Sequence, residues 1–417
     1  MAVYCCSKLV LGRGCRMAGF GNDVFARWSY IQGTLFPWLR EQLDPVTAAL
    51  EQLIIVLDTI GLAAYVPSPP RHGRGRKPED RRALARAFVA KAVLGLPTTA
   101  AVIERLAIDK SLRRICGWES AREVPSESTF SRAFAEFAAS ELPDRMHEAL
   151  VKRSLADRIV GCVARDATEI DAREKPAKSG PGDGAPPPPS ATPPAAAELP
   201  PPRRRGRPKK GEERPKATTR LQRQATQSLP EMLAELPTGC DVGSKRNSKG
   251  YKHSWTGYKL HIDVADGQIP VACLLTSASV HDSQVAIPLM TLTGQRIDYL
   301  YDLMDAAYDA AQIAEHSRAL GHMPVIDFNC RNDTNSKAAR EAESKRRVLI
   351  NMPDPDDALY NFRTMAERIN ARLKDEFGGR FLRVRGAVKA RCHLMFGLLA
   401  LTVDQILRIA RPQPEPA

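Results

Sequence analysis

Four side chains in the last quarter of the sequence have the types and spacing to handle a phosphate. Tyr360, Arg363, Glu367 and Lys374 stand at offsets of 0, 3, 7 and 14, which at about 100° per residue puts all four within roughly 60° of arc on one helix. Phe362, Met365, Ala366, Ile369 and Leu373 gather on the other side as the expected buried stripe. Taken alone, the polar side also reads as a solvated salt-bridge face, because Arg363 and Glu367 form an i, i+4 pair.

Two carboxylates upstream favour chemistry. The run Ile159-Val-Gly-Cys-Val-Ala164 is apolar and is followed by Asp166, with Thr168 on the same side if the strand continues. The run Tyr299-Leu-Tyr-Asp-Leu-Met304 likewise ends on Asp305. Asp302 competes on that second run, but Asp305 lies nearer the expected strand end. One aspartate after a strand is commonly a cap or turn residue. Two such strand ends together with a helix carboxylate are what a two-metal phosphoryl-transfer site needs. Mg2+ is a hard cation that takes oxygen ligands, and two ions about 3.5 to 4 Å apart serve the attacking and leaving oxygens of an in-line displacement. Without ions, three converging acids repel one another and one or more takes up a proton.

The elements around these residues must bring them together. Gly257 to Val264 and Ile269 to Thr276 read as strands joined at Ala265-Asp266-Gly267, a hairpin signal. A helix over Ser283 to Thr293, a strand over Ile297 to Met304, a helix over Ala310 to Leu320 and a strand over Met323 to Phe328 follow. Helices over Pro355 to Phe377 and Ala387 to Ile409 close the chain. This predicts an α/β sheet flanked by helices. Residues 45–155 read as helical, with apolar periodicity in Val46 to Leu62, Arg81 to Leu94, Thr98 to Leu106 and Ser126 to Phe137. Ser126 or Ser128 can cap the last of these, which would present Ser128, Thr129 and Arg132 to a DNA groove. An ordinary capped helix whose Phe130 and Phe134 fill a core is the other reading.

Between the two regions, Arg173 to Thr226 is proline-rich and poor in aromatics, with Pro186 to Pro189, Pro200 to Pro202 and the basic run Arg203 to Lys210. Such a segment cannot bury enough apolar surface to fold and is expected to be an extended tether. The expected division is therefore an N-terminal extension at 1–44, a helical DNA-binding domain at 45–155, the first catalytic strand at 156–172, an inserted tether at 173–226, the rest of the catalytic domain at 227–411 and a tail at 412–417.

The 417 residues are enough for two or three domains. A formal charge of +13 points to a polyanionic partner, nucleic acid first. Nine cysteines without a Cys-x-x-Cys pair or a zinc spacing argue for reduced thiols. No run of about 18 apolar residues and no signal-like N-terminus are expected to mean a cytoplasmic protein without a membrane partner. Met17 is a second candidate start.

At these residues a resemblance becomes specific. Tyr360-x2-Arg363-x3-Glu367-x6-Lys374 resembles the Y-R-E-K signature of bacterial DDE insertion-sequence transposases. Asp166 in Arg-Asp-Ala-Thr-Glu-Ile is similar to that family's first acid, and Asp305 in Asp-Ala-Ala-Tyr-Asp to its second. Gly257-Tyr-Lys-Leu-His261 and Ser279-Val-His-Asp-Ser283 resemble its intervening strand and helix-start motifs, and Val124 to Arg132 its N-terminal domain. The resemblance covers roughly residues 35–411. It implies an RNase H-like mixed-sheet core with an N-terminal all-α DNA-binding domain. It further implies two Mg2+ or Mn2+ ions on Asp166, Asp305 and Glu367, with Tyr360, Arg363 and Lys374 on DNA phosphates. The implied activity is cleavage and strand transfer at the inverted repeats of a mobile element, by a homodimer on double-stranded DNA in the bacterial nucleoid.

His261 and His281 recur in similar sequences, and a structural and a catalytic role both stay open. Arg205-Gly-Arg207-Pro-Lys-Lys210 is similar to an AT-hook core, which implies Arg205 and Arg207 in a narrow minor groove; a solubilising charge run is the alternative. Two features depart from the pattern. The tether is longer than a simple RNase H-like core needs, and only about 30 residues separate the Met323 to Phe328 strand from Tyr360, too few for the β insertion of some relatives. Two rivals remain: a transposase-derived regulator that binds DNA without cutting, and an RNase H-like nuclease that hydrolyses without joining ends.

Overall fold

A computed structural model describes residues 46–67, 79–155, 157–176, 218–246, 250–327, 359–380 and 382–410, with four isolated positions between 338 and 345. Among the described residues six α-helices come first: α1 (Ala48–Ile60), α2 (Arg81–Val93), α3 (Thr99–Ile108), α4 (Lys110–Cys116), α5 (Glu127–Ala139) and α6 (Leu142–Leu155). Local chemistry sets their ends. Thr47, Asp80, Thr98 and Asp109 each accept a backbone N–H of the first turn. Gly61 closes α1 at φ 64°, the left-handed conformation glycine adopts without penalty. α2 is buried on all sides from Ala83 to Ala92, and its alanines let neighbouring helices approach closely.

The sheet has six strands: β1 (Ile159–Asp171), β2 (Asp241–Arg246), β3 (Lys252–Ala265), β4 (Ile269–Ser277), β5 (Asp298–Met304) and β6 (Met323–Ile326). The order β4-β3-β1-β5-β6 is mixed. β1 is antiparallel to β3 and parallel to β5, β5 is parallel to β6, and β2 extends the β4 edge of β3. α7 (Arg220–Gln224), α8 (Leu229–Ala234), α9 (Ser283–Gly294), α10 (Ala311–Ala319), α11 (Thr364–Asp375) and α12 (Ala387–Ala410) are the other α-helices of the described residues. β4 is buried at every residue because it is covered on both faces. Ala272 and Leu274 pack with Val285 and Leu289 of α9, while Cys273 meets Met395 of α12.

α12 carries the N-terminal helices onto the sheet. Phe88 of α2 has ring centroids at 4.9 Å from Phe134, 5.9 Å from Phe130 and 6.2 Å from Phe137, all of α5, and 5.9 Å from Phe396 of α12. Asp144 of α6 accepts from Arg391 of α12 at 2.8 Å. One core cluster therefore runs from α1 through the sheet to α12. The apolar content of α12 serves this role. By length and composition it is the one described helix that could cross a membrane, a window not anticipated above, yet 67% of that window is buried inside the protein.

The strands and helices from Gly257 to Thr293 follow the expected pattern, with β3 five residues longer at its start. Phe362 departs from it. It is 53% exposed because residues 361–363 form a 3-10 turn before α11, which rotates its side chain off the buried stripe of Met365, Ala366, Ile369 and Leu373. The expected helix start at Pro355 and most of the tether lie outside the described residues.

Candidate active site

β1 and β5 are parallel neighbours, and the last pair in their register is Ala164 with Leu303. Asp166 and Asp305 each lie two residues beyond that pair, Asp166 still within β1 opposite Ile262 of β3 and Asp305 just past the end of β5, so they stand side by side where the two strands, about 4.8 Å apart, part. Asp305 is pinned as the cap of the 3-10 turn Ala306–Tyr308, accepting from the Ala307 N–H at 2.9 Å. Asp166 Oδ2 accepts from Asn370 Nδ2 of α11 at 3.0 Å. Burial pushes the Asp166 carboxyl up to about 6, and the Asp305 charge pushes the same way, against the Ala167 N–H, Arg363 and Asn370. Asp305 is raised as well, by burial first and then by Asp282 and Asp327, with the Ala307 N–H and Arg363 opposing.

Arg363 is the cation shared by this pair, its field acting on both. Its guanidinium carbon lies 5.4 Å from the Tyr360 ring centre and its Nη2 2.8 Å from Glu367 Oε1. Glu367 is held by that contact with half of its side chain exposed. Among the described residues no three Asp, Glu, His or Cys side chains stand close enough to ligate one ion. The structure thus brings together Asp166, Asp305, Arg363 and Tyr360, and it leaves Glu367 on Arg363, beside the carboxylate pair. Lys374 sits farther along α11 in the field of Glu169 and Lys245, half-buried, with burial lowering its pKa.

The competing acid Asp302 is elsewhere. It is buried on the other face of β5, accepting from Tyr299 Oη at 3.0 Å and Ser317 Oγ at 2.6 Å, and it lies 3.6 Å from Arg165 Nη2. His261 is buried, with Nε2 3.0 Å from Thr276 Oγ1 and Nδ1 without a hydrogen-bond partner at 3.9 Å from Asp282 Oδ1. Burial pushes it down to about 4, so it is neutral at pH 7. His281 Nδ1 accepts the Ser283 N–H at 3.3 Å, at the start of α9. At α5, both readings of the helix start coexist: Phe130 and Phe134 are in the core, while Ser128 and Arg132 are exposed and Thr129 is half-buried. Arg132 Nη2 donates to Thr129 Oγ1 at 3.4 Å. Arg205 and Arg207 lie outside the described residues.

Several polar groups at the site were not anticipated. Asn370 was legible in principle, being seven residues beyond Arg363 and therefore on the same helix side. Asp282 and Asp327 were not, because only the fold carries them to Asp305, whereas Tyr308 ends the turn that Asp305 caps. Tyr308 is fully buried with its hydroxyl unpartnered, in the field of Asp282, Asp166 and Asp305.

A hard cation suits this donor set. The groups are oxygens, the two carboxylates are both held above their ordinary range, and Asn370 Oδ1 and Tyr308 Oη are buried without partners beside them. A mixed sheet of this order, with one acid inside β1 where it parts from β5, another just past the end of β5, and helices on both faces, defines an RNase H-like core. A family model described as "Transposase DDE domain" matches residues 218–403, and one described as "Transposase domain (DUF772)" matches residues 40–136. Two stretches of the chain thus match transposase domains, the second of them a DDE domain. The first-strand segment with Asp166 falls between the two matched stretches. The chain is 28% identical over 161 residues to a probable transposase for insertion sequence element ISH11 of Halobacterium salinarum, and equally to its counterpart in a second strain. That alignment takes in 37% of this chain and 48% of each relative, so the chain spans about half the length of the curated relatives it matches. No solved structure matches the chain.

Proposed function

We propose that this protein is the transposase of an insertion sequence, binding the terminal inverted repeats as a homodimer and catalysing metal-dependent DNA strand cleavage and strand transfer in the bacterial nucleoid. The observation that carries the proposal is the side-by-side placement of Asp166 and Asp305 where the neighbouring strands β1 and β5 part, beneath Arg363.

In this reading Asp166, Asp305 and Glu367 are the metal ligands. Divalent ions, Mg2+ or Mn2+ and two in number, activate the attacking oxygen and stabilise the leaving one when bound. The chain's own residues do the rest. Asn370 orients Asp166 by donating to Oδ2, and the Ala167 N–H holds the same carboxylate. Arg363 has two calls on it, Glu367 and a DNA phosphate. A phosphate that accepts from the Arg363 fork in bidentate fashion competes with the single 2.8 Å contact to Glu367 and releases that carboxylate toward Asp166 and Asp305. Tyr360 stacks on the guanidinium and holds it over the pair. Lys374 takes the next phosphate, while Ser128, Thr129 and Arg132 face a groove and Arg205 with Arg207 a narrow minor groove.

The Arg363–Glu367 contact also suits a second reading, a DNA-binding regulator derived from a transposase that does not cut. The test is a strand-cleavage assay on labelled duplex carrying the borders of the gene, with Mn2+ or Mg2+, comparing the protein with Glu367→Gln. Metal-dependent nicking at a border, lost on substitution, supports the transposase. Binding by both proteins without cutting supports the regulator. Cleavage that survives Glu367→Gln removes Glu367 from the site, and cutting that ignores the borders points to a nuclease.

A further inference from the structure

β3 is longer than the sheet requires. Gly257–Ala265 lie beside β1, and Tyr258–Ala265 beside β4, but Lys252–Trp255 pair with β2 alone. β2 and the start of β3 therefore form a two-stranded ribbon that continues past the sheet by roughly 14 Å at about 3.4 Å per residue. Its base is rigid. The Trp255 indole covers Gly243, where any β-carbon would collide with the ring, and its Nε1 donates to the Tyr258 carbonyl at 3.1 Å. The His253 ring stacks on Trp255 at an interplanar angle of 13°.

The ribbon is basic throughout. From Val242 to Lys259 the sequence has five Lys or Arg and no Asp or Glu. Lys245 and Lys252 are exposed, and Tyr251 is 71% exposed. The register alternates Lys245 opposite His253 with Arg246 opposite Lys252, so the two lysines project from opposite faces of the ribbon. Near its outer end Lys245 Nζ donates to Glu169 Oε2 of β1 at 2.8 Å, and Glu169 also acts on Lys374 of α11. A strip of positive charge thus runs from Arg363 and Lys374 out along the ribbon, with Glu169 as the counter-ion at the junction. Nothing in the catalytic reading uses the outer part of that strip.

We propose that the β2–β3 ribbon grips duplex DNA beyond the scissile position, with Lys245 and Lys252 on the phosphates of the two strands and Tyr251 donating to the backbone between them. The inference rests on the reading that Lys374 faces DNA. A two-stranded ribbon is of a width that the major groove, about 12 Å across, admits. Lysines on both faces reach the phosphates on either side of such a groove, and backbone contacts of this kind set position and affinity rather than sequence.

The experiment is fluorescence anisotropy of the full chain on a labelled border duplex and on a random duplex of the same length, without divalent metal, from 50 to 200 mM salt. The doubly substituted Lys245→Ala/Lys252→Ala is compared with the protein itself. Loss of two phosphate contacts lowers the slope of log affinity against log salt by about 1.8 and weakens binding roughly 60-fold at 0.1 M salt if the two proteins converge at 1 M. Both duplexes are affected alike, and Lys245→Arg/Lys252→Arg keeps the slope. Because Lys245 also holds Glu169, Lys252→Ala alone is the second variant and lowers the slope by about 0.9. Intact binding with unchanged slopes overturns the ribbon inference and leaves the transposase reading in place, as does a preference of the ribbon lysines for single-stranded DNA. No binding of any duplex by the unsubstituted chain overturns both.

Discussion

Replacing Arg165 by methionine should cost far more than removing a typical ion pair. Arg165 is 1% exposed, and it donates from Nε to Asp263 Oδ1 at 2.8 Å and from Nη2 to Asp263 Oδ2 at 2.6 Å, a bidentate pair in which Asp263 is wholly buried. Thr293 Oγ1 donates to the same carboxylate at 2.6 Å, and Asp302 lies 3.6 Å from the guanidinium. Burial works against the Arg165 charge, and Asp263 and Asp302 more than offset it. Without the guanidinium, Asp263 keeps only a hydroxyl donor. Breaking a buried pair from one side typically costs about 3 to 5 kcal/mol, whereas replacing both partners by apolar groups of similar volume is often neutral. Arg165→Met should therefore lose about 3 to 5 kcal/mol in urea unfolding at pH 7, and Arg165→Met/Asp263→Leu should recover most of it.

The pH dependence has a definite sign. Asp263 is already raised by burial, and Arg165 opposes that rise. In Arg165→Met the folded state resists ionising Asp263 while the unfolded chain ionises it near 3.8, so the variant's deficit appears as pH rises above about 4 and is small below it. A single-variant cost under about 1 kcal/mol, or a double variant less stable than the single one, would refute the reasoning. Arg165 adjoins Asp166 on β1, so the same measurement gauges how firmly the strand that presents Asp166 is held against β3 and β5.

Asp166→Asn should raise the melting temperature at pH 7 without divalent metal and leave it unchanged at pH 3, because the folded carboxyl, held at about 6, makes stability fall as pH rises from 3.8 through 6. Asn370→Ala should weaken Mn2+ binding, followed by electron paramagnetic resonance or calorimetry, by about 10- to 100-fold, as loss of a group that orients a metal ligand does. Mn2+ affinity should also climb as pH rises through about 6, since Asp166 must lose its proton to ligate. Phe88→Ala should cost about 3 to 5 kcal/mol in urea unfolding, since its ring sits among Phe130, Phe134, Phe137 and Phe396 and ties the N-terminal helices to α12.

Much of this protein could be read from the order of its residues. Asp166 and Asp305 stand out as acids after apolar runs, and the arithmetic of 100° per residue puts Tyr360, Arg363, Glu367 and Lys374 on one side of a helix, as Arg363 and Glu367 are in α11 and the turn before it. The β3–β4 hairpin and the capped helices were legible because strand alternation, turn residues and caps are local signals. β2 was not, since Asp241 to Arg246 is polar, contains a glycine and gains strand structure only by pairing with β3 and lodging the Trp255 ring.

What spacing cannot supply is the meeting of distant segments. Asp305 is preferred to Asp302 for its place after the apolar run, and what spacing cannot show is where each side chain goes: Asp302 points into the buried Arg165 network, while Asp305 caps a turn next to Asp166. Of the groups around Asp166 and Asp305, Tyr308 follows Asp305 in the same turn, but Asn370, Asp282 and Asp327 come from three separate segments that only the fold draws together. The pairing of Glu367 with Arg363 rather than with the two aspartates is likewise a tertiary fact, a balance between an i, i+4 contact that the helix offers locally and a carboxylate pair that repels a third negative charge.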